Sequence, residues 1–422
     1  MENSGSWLQR AVRLGPALAL LVLALPGVGA AANDPDDLER QRRAVRYLEA
    51  SQTPSGLFAF DTHFLSGTGE GSSVVDTTAF LARQASAAYG LSKYYVQSGD
   101  ETVRPVLEKA LAGFGTMSLP LAKSPLLRAL EASRLMSISI TRRVLTRVLE
   151  GSQRLYRASG DGQVLSYDPD YGSAWAGTTA IALLAELGYE RASGDTRFAE
   201  LRRAWLAGLM SLYVPGRGFR EFPDTLSETA YANGEAWLAL ATYVGMFPDD
   251  ARAAKTLHTI DDYMMRAYSE RLNLQFFHWG AMAAARRYAD TSDGRFLDFL
   301  RDQAGRLAEI LPPRAEREAN SCAFVEGLAA AAAALSSHEP DRPIVARISD
   351  RIDSEMAKNR ELQIAPGQDR IDYPRGASLR APLLADFAGA FLMDRFVPYT
   401  RIDITDHCIS AISEMQRIKA AP

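Results

Sequence analysis

Along most of the chain, apolar residues recur at helical spacing, and the helices they predict alternate between two kinds. In "GTTAIALLAELGY", "GEAWLALATYVG", "GAMAAARRYA" and "VEGLAAAAAAL", small and apolar residues occupy nearly every face, the pattern of a helix surrounded by protein. "TRFAELRRAWLAGLMSLY" and "ARAAKTLHTIDDYMMRAY" instead set an apolar stripe against charges, as a helix with one face in water does. Gly99-Asp100 and Gly194-Asp195 show how the two kinds are joined. Glycine takes the left-handed conformation that ends one helix, and aspartate accepts the free N–H groups that open the next. Asp100, Asp195, Asp249, Asp293 and Asp341 mark a helical hairpin of roughly 50 residues, with one more hairpin inside the first, longer interval.

This pattern predicts buried helices beginning near Thr77, Pro125, Ala174, Ser227, Asn273 and Asn320, and amphipathic ones beginning near Asp100, Thr141, Asp195, Asp249, Asp293 and Asp341. Six such pairs close an (α/α)6 toroid, an inner ring inside an outer ring. An open α-solenoid is the competing arrangement. Against it stand the long aromatic segments that lead into the inner helices, "SGLFAFDTHFLSGTGEGSSVVD", "GDGQVLSYDPDYGSAW" and "VPGRGFREFPDTLSETAY", all at the end opposite the tight Gly-Asp turns. One rim is elaborated. The expectation is an all-α, single-domain toroid over residues 33–422.

Composition narrows the function. At 47% hydrophobic and 23% charged, with a formal net charge of -4 and no run of basic residues, the chain has ample core and no stripe to meet nucleic-acid phosphates. Residues 1–32 differ from the rest: Arg10 and Arg13 precede the apolar run "LGPALALLVLALPGVGA", and small residues follow. That order is expected of a secretory signal peptide cleaved after Ala30 or Ala32, giving a periplasmic or secreted protein without a membrane span. In that oxidising setting Cys322 and Cys408 are free to pair or not, and the sequence leaves both open.

Hairpins of this length, tight Gly-Asp turns on one side and aromatic loops feeding small-residue inner helices together resemble the six-hairpin glycosidase class, with its related polysaccharide lyases and glucuronyl C5-epimerase-like domains. The resemblance covers most of residues 40–420 and rests on architecture. It implies a cleft at the N-terminal ends of the inner helices. The residues standing there as candidate sugar ligands are Asp76, Arg83, Gln84, Tyr167, Asp168, Asp170, Tyr171, Trp175, Asn233, Trp237, His278, Trp279, Asn320 and Arg401.

Glycoside hydrolysis needs two carboxyl groups flanking the scissile bond, and sugar binding needs flat apolar faces beside polar groups. In "SETAYANGEAW", Glu228, Tyr231 and Glu235 recur at spacings of three and four, on one helical face. Glu235 and Glu326 each interrupt an apolar helix, where a carboxylate must be paired, protonated or functional. "RIDITDHCIS" adds Asp403 and His407 near a helix start expected at Thr405, either as caps and core or as proton-transfer groups. Candidate catalytic residues are thus Glu235, Glu228, Tyr231, His407, Asp403 and Glu326. The reaction expected is glycosidic cleavage of a polysaccharide or oligosaccharide. The alternatives are a uronic-acid lyase or C5-epimerase, and a non-catalytic glycan-binding or scaffold protein of an envelope polysaccharide assembly. No cofactor or metal is expected; the zinc set His407, Cys408 and Cys322 is set aside because the run reads "HC" where a lanthionine-cyclase-like toroid carries "CHG". N-terminal sequencing of exported protein is expected to start at Ala31 or Asn33; material starting at Met1 refutes processing.

Overall fold

A computed structural model describes residues 35–59, 61–65, 78–121, 162–168, 174–223, 225, 227–310, 319–373, 376–397 and 399–420. Outside the described residues lie Asp76, Asp170 and Tyr171, the export segment and the hairpin expected near Pro125 and Thr141.

Twelve α-helices are described: α1 (Pro35–Ala50), α2 (Thr78–Ser98), α3 (Arg104–Thr116), α4 (Ala176–Ser193), α5 (Ala199–Leu212), α6 (Ala230–Met246), α7 (Ala251–Tyr268), α8 (Leu274–Thr291), α9 (Gly294–Ile310), α10 (Cys322–Leu335), α11 (Arg342–Glu361) and α12 (Ile402–Ala420). The even-numbered helices pack in sequence, α2 on α4, α4 on α6, and so on to α12, which returns to α2. They form the inner ring of an (α/α)6 toroid, with α1, α3, α5, α7, α9 and α11 outside it. Membership differs from the sequence expectation in one respect. α2 packs directly on α4, and the ring is completed by α12, whose outer partner α1 comes from the opposite end of the chain.

Small residues set how closely the inner helices approach. A Cβ on Gly327 of α10 would lie 2.8 Å from the His278 Cα of α8, and one on Gly177 of α4 would overlap the Glu235 carboxyl of α6. Both glycines therefore bring polar side chains toward the axis. At the opposite end the turns repeat a device: Tyr94, Tyr189 and Tyr243 each donate at 3.1 Å to an aspartate beyond the helix end, Asp100, Asp195 and Asp250. Gly99 and Gly194 take φ of 65° and 69° there, and Ser292 takes the same left-handed turn without being glycine.

The described residues include four two-stranded antiparallel ribbons. β1 (Asp61–His63) pairs with β8 (Tyr399–Arg401), opposing Asp61 to Arg401, so the segment after α1 is tied to the segment entering α12. β2 (Ser118–Pro120) pairs with β3 (Gln163–Leu165), β4 (Tyr213–Val214) with β5 (Gly218–Phe219), and β6 (Arg370–Asp372) with β7 (Ser378–Arg380). Cys322 and Cys408 form a disulfide that joins the first turn of α10 to the second turn of α12 across 86 residues. Closing so long a loop restricts the unfolded chain. The Cys322→Ser/Cys408→Ser variant is expected to lose about 2–5 kcal/mol in urea unfolding; unchanged stability would show that helix packing alone fixes this corner.

Candidate active site

Six inner helices present their N-terminal turns to one mouth of the toroid, and the ionisable residues interrupting their apolar sequences meet there. His407, in the second turn of α12, places Nδ1 3.1 Å from Glu326 Oε2 of α10 and 3.9 Å from Asp406 Oδ1. Its ring lies edge-on to that of His278 from α8, with centroids 5.4 Å apart. Trp279 flanks both histidines, at 4.7 Å from His278 and 6.3 Å from His407. Tyr231 stands edge-on between His278 at 6.4 Å and Trp175 at 6.3 Å, so an aromatic wall runs from α4 to α12. Tyr231 is 36% exposed, the open end of that wall.

A second cluster sits beside the first. α12 starts at Ile402 rather than Thr405, which puts Asp403 in its first turn. Arg401 from β8 binds both Asp403 oxygens, at 3.1 and 2.5 Å, and Arg83 of α2 approaches to 3.6 Å. Asp406 is packed against Gly90 of α2, where any Cβ would collide with it.

Burial divides these groups electrostatically. Glu235 is 3% exposed and its Oε2 has no hydrogen-bond partner among the described residues. Burial pushes its pKa up to about 8, against a smaller opposing pull from His407, so it is a neutral carboxylic acid at pH 7. Burial likewise raises Asp406 to about 8. Burial disfavours the His407 cation too, but Glu326 and then Asp406 outweigh it and hold the pKa up at about 10. His278 is pushed well below the ordinary histidine range by burial and then by the charge of His407; both of its ring nitrogens lack partners among the described residues. Asp403 goes the other way. Its burial is overcome by Arg401 and Arg83, which hold it ionised below the usual carboxylate range. Tyr231 is raised by burial, then by Glu235 and Asp403, so one phenol senses both carboxyl groups.

Other expected site residues stand elsewhere or are already engaged. Trp237 points outward, donating Nε1 to Asp261 at 2.7 Å and packing among Phe276, Phe296 and Phe299; its assignment as a sugar ligand is corrected to core. Gln84 is fully buried and binds Phe58 through both backbone groups, so it is corrected to loop support. Asn233 bonds the Phe219 N–H, Glu228 and Tyr268, while Glu228, which is exposed, accepts from Tyr263 of the outer helix α7; the two also brace the loop ahead of α6. Asn320 accepts from the Cys322 N–H at the start of α10. Tyr167 and Asp168 follow β3 beside Ser166. Asp406, an acid between Thr405 and His407 in a helix entering the core, is legible in the sequence as a group that could set the tautomer of His407. Ser86, its hydrogen-bond partner, carries no such signal.

At the far mouth, a cavity of about 390 Å³ is lined by Tyr89, Lys93, Arg286, Glu414 and Arg417. Lys93 and Arg417 pair there with Glu414, and Arg286 with Asp290.

A raised carboxyl holds its proton in the folded state after the unfolded chain has released it, so stability falls as pH rises from the ordinary carboxylate range to about 8. Glu235→Gln removes one such group. Its stability curve is expected to fall less steeply over that window, by up to about 1.4 kcal/mol per pH unit. Parallel curves for the two proteins refute a neutral Glu235.

No known family profile matches the chain, and neither does any curated protein. Solved structures do. An α-1,6-mannanase of glycoside hydrolase family 76 from Salegentibacter sp. HEL1_6, inactivated at two consecutive aspartates and bound to an α-1,6-mannotetraose, is 12% identical, with 91% of this chain and 99% of that one covered at a TM-score of 0.56. A heparin-specific unsaturated glucuronyl hydrolase is 12% identical over 91% and 98%, at a TM-score of 0.57. A family 76 α-mannanase from Bacteroides thetaiotaomicron is 10% identical over 93% and 98%, also at 0.57. The fold is the six-hairpin glycosidase-like toroid.

Proposed function

We propose that the protein is a carbohydrate-active enzyme of the periplasm or cell exterior that takes a polysaccharide or oligosaccharide into the N-terminal mouth and cleaves a glycosidic bond. One observation carries this reading: two carboxyl groups near Tyr231 are driven to opposite protonation states, Glu235 neutral and Asp403 ionised. Glycosidic cleavage needs that division, an acid to protonate the leaving oxygen and a carboxylate to serve as base, nucleophile or charge stabiliser. Glu235 takes the first role and Asp403 the second, with Trp175 and Tyr231 giving a sugar ring an apolar face. The solved neighbours act on α-1,6-mannan and on unsaturated glucuronyl sugars, which supports a glycan as the substrate class.

The chemistry here is set up differently from a consecutive aspartate pair. Such pairs occur at Asp36-Asp37, Asp249-Asp250 and Asp261-Asp262, on the outer helices or the far turns. Asp37 binds Arg360 and Asp261 binds Arg287, both as structural partners.

A second reading, proton abstraction by a uronate lyase or epimerase, is favoured by neutral His278 facing cationic His407. The raised pKa of Tyr231 argues against a tyrosine base, and Arg401 and Arg83 are engaged by Asp403 instead of being aimed at a substrate carboxylate.

The test is turnover on neutral and uronic-acid polysaccharides, reading new reducing ends and ultraviolet absorbance together. Reducing ends without absorbance are expected, and activity should fall as pH rises through about 8, where Glu235 loses its proton. Glu235→Gln should lower turnover about 10²- to 10⁴-fold with circular dichroism unchanged. An absorbing product establishes the lyase, and glycan binding without turnover by the wild type establishes a binding protein.

A further inference from the structure

His278, Glu326 and His407 project from three adjacent inner helices, α8, α10 and α12, and one donor atom from each lies within 4.8 Å of the other two. His407 Nδ1 and Glu326 Oε2 are 3.1 Å apart. Zinc-class ions bind at about 2.0–2.2 Å to nitrogen and oxygen, which puts tetrahedral ligands about 3.3 Å from one another. This pair is already close to that separation, and the His278 donor within 4.8 Å of both supplies the third ligand.

A second observation is independent of that spacing. The His278 ring is 4% exposed, and neither nitrogen has a hydrogen-bond partner among the described residues. Burying an imidazole with both nitrogens unpaired is costly, and native structures rarely leave such a group unexplained. Its surroundings offer it Tyr231 of α6, Trp279 of its own helix and the His407 ring of α12 at edge-on or tilted angles, contacts through ring faces and edges rather than hydrogen bonds. The pocket is also rich in acid. Glu235, Asp403 and Asp406 stand around the three donors, while Arg401, Arg83 and Lys93 supply the facing cations.

We propose that these three residues form a binding site for a divalent transition cation of the zinc class, with two imidazole nitrogens, one carboxylate oxygen and a fourth position open toward the mouth. The ion sits where a proton otherwise bridges His407 and Glu326. Its ligand set differs from the one set aside at the sequence level, because Cys322 and Cys408 are joined to each other. With the fourth position facing the mouth, the ligand class for that position is a sugar hydroxyl or carboxylate oxygen.

The experiment uses untagged full-length protein, dialysed against chelator and then titrated with Zn²⁺ by calorimetry and with Co²⁺ by visible absorption. One equivalent of Zn²⁺ at micromolar affinity or tighter, with Co²⁺ bands of low-coordinate nitrogen and oxygen ligation, is expected. Losing even an outer-shell partner costs about 10- to 100-fold in metal affinity, so His278→Ala and Glu326→Gln should each weaken binding at least about 100-fold. His338→Ala, at an exposed histidine beside Asp341, should bind like the wild type. The absence of saturable binding, or binding that survives His278→Ala and Glu326→Gln in variants with native circular dichroism, overturns the site. The readout is independent of turnover, so cleavage by a metal-free protein leaves the proposed function intact and removes only this inference.

Discussion

Contact between α12 and α2 is the constraint on which the centre of the molecule depends. Without it there is a curved stack of hairpins whose inner helices face solvent along one seam; with it, six N-terminal turns converge and the axis becomes an interior. The seam is held by polar bonds as well as packing. Lys93 of α2 reaches Glu414 at 2.6 Å and Ser410 at 2.5 Å on α12, and Gln41 of α1 bonds the Ile409 carbonyl and Ser413 behind it. Asp406 lies directly over Gly90, so closure itself buries an acid. The unusual protonation states follow from this geometry: desolvation is the largest cause of the shifts at Glu235, Asp406 and His278, while at His407 the acids gathered beside it, Glu326 first, outweigh burial.

The same closure explains why the two ends of the toroid behave differently. At the turn end, carboxylates are solvated or matched to arginines and tyrosines, as Asp195 is with Arg197 and Tyr189. At the mouth the helices approach closely, and among the described residues neither Glu235 Oε2 nor either His278 nitrogen has a hydrogen-bond partner. A buried ion pair such as Arg202–Glu186 stabilises little by itself, but its partners are complete. The mouth holds groups whose partners are incomplete, which is the physical mark of a place kept for something else.

How much of this was legible depended on how strongly each residue broke its local pattern. The alternation of helix kinds revealed the toroid, and Glu235, Glu326 and His407 stood out as polar residues in apolar surroundings. The pairing of Glu326 with His407 was hidden because the two lie on different helices, 81 residues apart. Trp237 was misplaced for a related reason: α6 is apolar all round, so nothing in its sequence tells which face meets the axis and which meets the outer ring. Counting turn aspartates did not give α12 its place in a ring pair, because the count ends at Asp341. Polar α1, whose partner is at the other end of the chain, gave no sign that it completed one.

The pairing of β1 with β8 carries a consequence for how the protein is made. The bonds that close the ring join residues far apart in the chain, by 323 positions for Arg360 and Asp37 and 372 for Gln41 and Ser413. Hairpins of neighbouring helices form locally and early, but the enclosed mouth has no precursor until α12 has left the ribosome. Contacts of such long range slow folding and leave intermediates with exposed apolar surface. A chain built in this way keeps its inner helices unsealed through synthesis and acquires a protected interior in one late step.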